Sequence, residues 1–256
     1  MNIEVLMSTM KRSSINELKL KEKNISTPLL VVNQLADSDS HVIEDECRFF
    51  SYTEKGLSRS RNILLKNAKG DVGIITDDDI TFIAEYKTIL CNAYEKHPEA
   101  GIITFNLKIG DDTKGWDKEF THTFWSLMSV ASCQISIKPS VIRNLDIHFN
   151  ESFGLGASFK SGEENLFLND CRKKGVTIIH VPITLCSHPH EDTTGELWSA
   201  DLVKSKGALS TALLGKKHVL FLLYFILVKH KEYKKTMKIK EFYRNYMNGV
   251  HEYRSR

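Results

Sequence analysis

The sequence has no pair of cysteines at the spacing of a zinc knuckle or a redox dithiol. Its five cysteines are Cys47, Cys91, Cys133, Cys171 and Cys186. They are widely spaced, and no two of them form a C-x-x-C motif. An odd number of scattered cysteines is typical of reduced thiols that pack as small apolar side chains. We therefore expect a cytoplasmic protein with free thiols.

Neither a secretory leader nor a long apolar run is predicted from the sequence. Residues 1–10 are apolar but have no cationic lead, so no signal peptide is predicted. The most apolar run, at residues 219–228, has about half of the ~20 residues that a membrane-spanning helix needs.

The net charge of the chain is small, but its distribution is uneven. The formal charge of +3 gives no support for a nucleic-acid partner. Residues 216–256 nevertheless hold eleven Lys and Arg against three Glu, which leaves the rest of the chain acidic. This segment is either a core helix followed by a solvated basic helix, or an interfacial segment that contacts an anionic membrane surface.

The first half of the chain alternates short apolar runs with helical patterns. We predict strands at 3–7, 28–32, 47–52, 72–76 and 101–105, and helices at 58–67 and 83–97. A less regular middle follows, with a polar loop at 111–117, strands at 131–137 and 176–181, and a helix at 165–174. This order is typical of an α/β, doubly wound mixed sheet with flanking helices, in which ligands bind beyond the carboxyl ends of the strands. We predict one such domain at residues 1–195 and a helical, basic C-terminal extension at 196–256.

The sharpest local feature is a run of three acidic residues at the end of a predicted strand. Asp77, Asp78 and Asp79 directly follow the apolar sequence VGII and Thr76. Adjacent carboxylates repel one another and need a counter-charge when they are buried. A divalent cation supplies that charge, and Mg²⁺ typically binds one or two carboxylates together with substrate phosphates. The alternative is a solvated acidic turn.

Two further motifs contain charged residues at predicted helix starts. In GLSRSRN, Arg59 and Arg61 are two residues apart and point to different sides of a helix, so that one could face a diphosphate; a basic helix start is the alternative. In SGEENLFL, Glu163 and Glu164 open a helix. Either both are acids that the positive end of the helix dipole favours, or one of them is a general base beside a sugar.

A fourth motif, CSHPHED, contains two histidines that flank a proline. His188 and His190 are able to ligate a metal or to bind phosphate. A structural or surface position is the alternative for each.

In chain order, these motifs resemble those of family 2 glycosyltransferases, which have the GT-A fold. The matching segments are STM at Ser8, GLSRSRN at Gly56, TDDD at Thr76, FNESF at Phe149 and GEEN at Gly162. Each motif is weak alone, but their order and separations fit the family. The resemblance covers roughly residues 3–190.

The resemblance implies roles for individual residues. The implied donor and nucleotide site consists of Thr9, Asn33, Arg61, Asn62, Asp77 and Asp78. Asp79 and His188 are the implied ligands of Mn²⁺ or Mg²⁺, and Glu164 is the implied catalytic base. The implied acceptor pocket consists of Gly156, Gly162 and Glu163. Asn33 and Glu164 each stand where the family most often has Asp.

The implied activity is an inverting, metal-dependent transfer of a hexosyl or N-acetylhexosaminyl group. The donor is a nucleotide sugar, with a UDP-sugar favoured, and the acceptor is a saccharide or a lipid-linked molecule in surface polysaccharide synthesis. Such an enzyme works in the cytoplasm or peripherally at the inner face of the plasma membrane, without a nucleic-acid partner.

Two other classes of protein fit part of the pattern. A metal-dependent nucleotidyltransferase also uses strand-end carboxylates, but it normally has a glycine-rich triphosphate loop near its N-terminus. The segment after Thr9 contains no such glycines. A non-catalytic sugar-binding domain of the same fold would show little metal dependence, and the intact acidic triplet argues against it.

Overall fold

In a computed structural model of the chain, which describes residues 1–188 and 198–256, eleven strands form one sheet. The strands are β1 (Ile3–Met10), β2 (Leu29–Gln34), β3 (Ser40–Glu44), β4 (Cys47–Tyr52), β5 (Val72–Asp77), β6 (Thr81–Phe82), β7 (Ala100–Ile109), β8 (Asp112–Lys114), β9 (Phe120–Thr121), β10 (Ile135–Ile137) and β11 (Thr177–His188).

Helices cover the sheet and form the C-terminal extension. They are α1 (Leu57–Asn67), α2 (Tyr86–Lys96), α3 (Phe124–Leu127), α4 (Pro139–Asn144), α5 (Glu163–Lys173), α6 (Ala200–Leu214), α7 (Val219–Leu227), α8 (His230–Tyr233) and α9 (Ile239–Arg254).

The sheet is mixed, in the order β3-β4-β2-β1-β5-β10-β7-β11-β6. Strands β4, β2, β1 and β5 run parallel to one another, and β10 lies antiparallel between β5 and β7. The predicted mixed α/β sheet with flanking helices is therefore confirmed. The carboxyl ends of four neighbouring strands meet at one edge of the sheet, which is where such folds bind ligands.

Two apolar layers, one on each face of the sheet, hold it between helices. Successive side chains of a strand point to opposite faces. Val5 and Met7 of β1 therefore share a buried cluster with Leu90 of α2. Leu6, from the same strand, packs on the other face with Leu64 of α1.

Most predicted elements are present, with shifted ends. The strand expected at 47–52 matches β4, whereas the strand expected at 176–181 overlaps only the first part of the longer β11. Only Ile135–Ile137 of the strand predicted at 131–137 pairs with neighbours, because a short 3-10 helix precedes it. The polar loop at 111–117 contains β8, which folds back on β7 after Gly110 turns with a φ of 56°.

The first and last long helices of the extension pack closely against each other. A Cβ atom on Gly207 of α6 would lie 2.0 Å from the carbonyl oxygen of Tyr246, and one on Gly249 of α9 would lie 1.9 Å from that of Lys204. The Tyr246 hydroxyl, buried between the helices, donates to the carbonyl of His218 at 2.8 Å. Glycine is thus required on both helices for their backbones to approach. The predicted boundary at residues 195–196 lies outside the described part of the chain.

By length and composition alone, Ala200–Leu227 is long and apolar enough to cross a membrane, and 39% of its most apolar window is buried in the protein. The apolar stretch is thus longer than the run at 219–228 suggested. Its path is interrupted at Gly215, which has a φ of 56°, and its first half is the α6 helix that packs on α9. We therefore describe α6 as a core helix of the extension and α7 as a separate helix.

Substituting Gly249 with alanine is expected to lower the free energy of unfolding by about 1–3 kcal/mol, because the new methyl group forces two helix backbones apart. Urea denaturation measures the change. Asn248→Ala, at an exposed position of α9, is the matched control and is expected to leave stability nearly unchanged. Equal stability of the two variants would show that α6 and α9 do not pack as described.

Candidate active site

The parallel strands bring the polar residues at their carboxyl ends together. Thr9 at the end of β1 lies beside Asn33 of β2, and Ser8 lies beside Asp77 of β5. Asn33 in turn lies beside Ser51 of β4. These residues are distant in sequence and become neighbours only because the four strands share one direction.

Asn33 fixes the segment that follows β1. Its side-chain oxygen accepts from the backbone N–H of Arg12 at 3.0 Å, and its amide nitrogen donates to the Arg12 carbonyl at 2.8 Å and to Ser51 Oγ at 3.1 Å. The side chain is fully buried. An ionised Asp has no N–H to donate, so this arrangement explains why asparagine occupies the position.

Asp78 is neutralised by a residue that sequence motifs did not indicate. Its Oδ2 accepts from Arg12 Nη2 at 2.7 Å and Nε at 3.0 Å, and from Thr9 Oγ1 at 2.5 Å. The Arg12 side chain remains 39% exposed. Thr9, Asp78 and Arg12 therefore form one cluster at the open end of β1, with a guanidinium group partly accessible from solvent.

Arg61 is buried between two carboxylates. Its Nη1 donates to Glu163 Oε1 at 2.9 Å, and its Nη2 lies 3.5 Å from Asp77 Oδ1. The guanidinium carbon also lies 5.7 Å from the ring centroid of Phe149. Only 1% of the side chain is exposed. The carboxyl ends of β1, β2 and β5, together with the start of α5, are here called the cleft. The structure places Arg61 behind it as a link between α1, β5 and α5, and not at a surface where it would touch a nucleotide.

Arg59 lies on the exposed side of the same helix, as expected from its spacing to Arg61. It pairs with Glu54 and with Glu151, the latter at 3.2 Å. The expectation that the two arginines face different environments is met, but the buried one is Arg61.

Asn62 and the two glycines of the implied site contact protein. Asn62 donates to the Phe149 carbonyl at 3.0 Å and accepts from the Phe149 N–H at 2.7 Å, which ties the FNESF segment to α1. Gly162, with a φ of 103°, leaves room for Leu209 of α6, whose Cδ2 would lie 2.9 Å from a Cβ atom there. Gly156 is exposed, has a φ of 87° and lies against Lys55. In this geometry Gly162 serves helix packing and does not line an open pocket.

The adjacent glutamates at the start of α5 have different surroundings. Glu163 is buried, and this burial, with Glu164 adding to it and Arg61 opposing it, raises the pKa of Glu163 to about 7. Glu164 is half-buried. The charge of Lys206, on α6, acts on both: burial lowers the pKa of Lys206, while Glu164 and Glu163 oppose the shift. Because Glu163 is buried and Glu164 is only half-buried, Glu164 is the more accessible of the two carboxylates.

Asp79, the last residue of the acidic triplet, lies beside His188. β11 pairs with β6 through Ser187 and Thr81, which brings His188 Nε2 to 3.1 Å from Asp79 Oδ2. The other oxygen of Asp79, Oδ1, is buried and makes no hydrogen bond to the residues that the structure describes. An unsatisfied carboxylate oxygen beside an imidazole is a donor set that fits Mn²⁺ or Mg²⁺.

Asp79 and His188 supply only two side-chain ligands, so a bound cation would need further ligands from elsewhere. Within residues 1–188 and 198–256, no group of three or more His, Cys, Asp or Glu is arranged to hold a metal. Donor phosphates and water commonly complete magnesium-type sites. His190, the second histidine of its motif, lies outside the described residues, as do Glu191 and Asp192.

The carboxylates of the cleft outnumber the arginines that neutralise them. Asp77 and Glu163 lie beside Arg61, Asp78 pairs with Arg12, and Asp79 is the fourth carboxylate. Burial raises the pKa of Asp77, Arg61 opposes the rise, and Asp79 adds to it. The local charge therefore favours a bound cation.

Comparison with known proteins assigns the chain to a family. The profile described as "Glycosyl transferase family 2" matches residues 31–159, which is half of the chain. The chain belongs to glycosyl transferase family 2. The matched range includes Asn33, Arg61 and the acidic triplet, whereas Thr9, Glu164 and His188 lie beyond it. No curated protein sequence matches this chain significantly.

Solved structures similar to this chain include several of TarS from S. aureus. TarS 1-349 in complex with UDP-GlcNAc has a TM-score of 0.69 and 14% identity, and covers 99% of this chain and 80% of its own. The complex of TarS 1-349 with UDP has a TM-score of 0.66 and 14% identity, over 98% of this chain and 81% of its own. A longer TarS chain matches with a TM-score of 0.65 at 15% identity, with 48% of it covered. At this identity the likeness shows the fold, which is the GT-A fold.

Replacing Arg61 with methionine is expected to lower the free energy of unfolding by about 3–5 kcal/mol, because two buried carboxylates lose their counter-charge. Arg59→Met removes an exposed arginine from the same helix and is expected to cost less than about 1 kcal/mol. Guanidinium denaturation monitored by circular dichroism measures both. Similar small losses in the two variants would show that Arg61 is not the buried link.

Proposed function

We propose that the protein transfers a sugar from a nucleotide-sugar donor to a hydroxyl group of a saccharide or lipid-linked acceptor, with inversion at the anomeric carbon. The observation that carries this proposal is Asp79: its Oδ2 lies 3.1 Å from His188 Nε2, and its buried Oδ1 makes no hydrogen bond to the residues that the structure describes. It lies at the carboxyl end of β5 in a family 2 chain. We favour a UDP-sugar because the similar TarS structures contain UDP and UDP-GlcNAc.

Asp79 and His188 are the residues that would hold the divalent cation. A cation bound there would supply positive charge to the phosphates of the donor. Thr9 and Asn33 lie at the strand ends to which the resemblance assigns the nucleobase, and Asp77 is the residue that it assigns to the ribose. Arg12, held by Asp78 but still partly exposed, is positioned to contact the donor as well.

Glu164 is the group that we assign to proton transfer. It takes the proton of the acceptor hydroxyl as that oxygen attacks the anomeric carbon. The bond between this carbon and the diphosphate oxygen breaks, and the nucleoside diphosphate leaves with the electron pair. A positioned base of this kind contributes about 10²–10⁴-fold to the rate. Glu163 is unsuited to the role because it is buried against Arg61.

A screen of donors separates this proposal from its alternatives. Thermal shifts are measured with UDP, GDP, CDP and dTDP sugars, with and without Mn²⁺, and release of the nucleoside diphosphate is then followed. We expect a UDP-sugar to raise Tm only with Mn²⁺, since a ligand of the folded state stabilises it, and UDP to be released when acceptor is present. Binding without release would favour a non-catalytic sugar-binding domain, and release of pyrophosphate from a nucleoside triphosphate would favour a nucleotidyltransferase.

Substituting Asp79 with asparagine is expected to weaken Mn²⁺-dependent UDP binding by about tenfold or more, because an amide replaces a charged ligand. Isothermal titration calorimetry of UDP with Mn²⁺ measures the dissociation constant. Asp112→Asn, on the exposed strand β8, is the control and is expected to bind as the wild type does. Wild-type affinity in the Asp79 variant would remove this residue from the metal site.

Substituting Glu164 with glutamine is expected to lower kcat by about 10²-fold or more and to leave the Kd of the donor nearly unchanged. Glu163→Gln is the comparison: it disturbs the partner of Arg61, so stability is expected to change more than kcat does. Steady-state kinetics with the donor and acceptor found in the screen decide between them. The reverse ranking would move the base to Glu163.

A further inference from the structure

One face of α7 is apolar and exposed. Five side chains form this face, here called the α7 surface: Val219, Leu220, Leu223, Tyr224 and Leu227. They are between 44% and 76% exposed. At 3.6 residues per turn their side chains fall within an arc of about 140°. A continuous apolar face of this kind on a folded protein marks a site of interaction.

The opposite face of α7 is fixed in the protein. Leu222 and Phe225 are buried in a cluster with Phe242 and Tyr246 of α9. The Phe225 ring centroid lies 6.0 Å from that of Phe242. The helix is therefore held by one apolar face while the α7 surface points outward.

An exposed tryptophan lies beside α7. Trp125 of α3 is 65% exposed, and its ring centroid lies 5.8 Å from that of Phe221 of α7. The carbonyl of Leu127, at the end of α3, accepts from Asn165 Nδ2 at 3.0 Å. Asn165 follows Glu164 on α5, so the exposed apolar area is joined to the helix that carries this glutamate. Tryptophan is enriched where proteins meet the membrane–water interface.

Lysines flank α7 along the chain on both sides. Eight lysines and one acidic residue, Glu232, lie between residues 216 and 240. Lys216 and Lys217 precede α7, whereas Lys234 and Lys235 follow it, and all four are exposed. An apolar helix face bordered by lysines is complementary to a bilayer with anionic headgroups, which attract cations while the acyl region accepts apolar side chains.

We propose that the α7 surface and Trp125 seat this protein on an anionic lipid bilayer, with α7 lying in the plane of the membrane. The nine residues of α7 extend about 14 Å, so the helix enters the interface and does not span it. This surface belongs to the folded protein and does not depend on the proposed transfer reaction. It would place the cleft beside α5 close to the lipid surface.

Sedimentation with vesicles tests the apolar part of the proposal. Vesicles of phosphatidylcholine alone and vesicles with added phosphatidylglycerol are compared. The wild type is expected to sediment with the anionic vesicles, and Leu223→Ser/Leu227→Ser is expected to lose at least about tenfold in partitioning. Val42→Ser/Ile43→Ser removes two exposed apolar residues of β3 and is expected to bind as the wild type does. UDP binding and Tm of each variant show that the fold is intact.

Charge and orientation are tested in the same assay. Lys234→Glu/Lys235→Glu is expected to weaken sedimentation with anionic vesicles, whereas Lys21→Glu/Lys87→Glu, two exposed lysines elsewhere, is expected not to. Tryptophan emission is expected to shift to the blue on vesicle addition. This shift should disappear in Trp125→Phe, because the other two tryptophans are partly buried: Trp116 packs against the sheet, and Trp198 packs in the cluster under α7.

Three results would overturn the proposal. The wild type would remain in the supernatant with both kinds of vesicle, or the Leu223 and Leu227 variant would sediment as its control does. Alternatively, the wild type would form a dimer without lipid that this variant dissociates, and neither would bind vesicles; a second copy of the chain would then cover the α7 surface.

Discussion

The placement of Arg61 between Asp77 and Glu163 is the interaction on which the cleft depends. The three residues come from α1, β5 and α5, which are joined only by the fold. Burying charges is costly unless they are paired, so this guanidinium holds the acidic strand end and the start of α5 on opposite sides of one site. The GLSRSRN, TDDD and GEEN motifs are therefore parts of a single ion network, and Asp79 and Glu164 are presented by the same framework.

The sequence located the inner strands because each is a short apolar run, and the doubly wound order predicted that a ligand binds beyond their carboxyl ends. It did not identify β3, whose five residues are all exposed and which forms only by pairing with β4. Nor did it predict that α7 has one buried and one exposed face. That helix is apolar all round, so its periodicity does not show which face is buried; contact with α9 decides it.

Within the site, the residues that sequence missed are those placed by tertiary contacts alone. Arg12 is three residues from Thr9 but follows no motif, and it reaches Asp78 because Asn33 holds its backbone on both sides. Lys206 lies some forty positions from Glu164 and approaches it because α6 docks on the start of α5. The GLSRSRN motif indicated Arg61 as a candidate site residue, but it did not predict that Arg61 is buried. A spacing of two residues puts Arg59 and Arg61 on different faces of the helix without showing which face packs against the protein.

The C-terminal extension positions the start of α5 as well as the α7 surface. Lys160 N–H donates to Ser205 Oγ at 2.8 Å, and Leu209 packs over Gly162, so α6 holds the segment immediately before Glu163. Arg61 holds the same helix start from the other side. α7 packs in one cluster with α6 and α9, so a partner that binds the α7 surface binds a unit that also contacts the start of α5. The position of Glu164 and the orientation of the α7 surface thus depend on one set of packed helices.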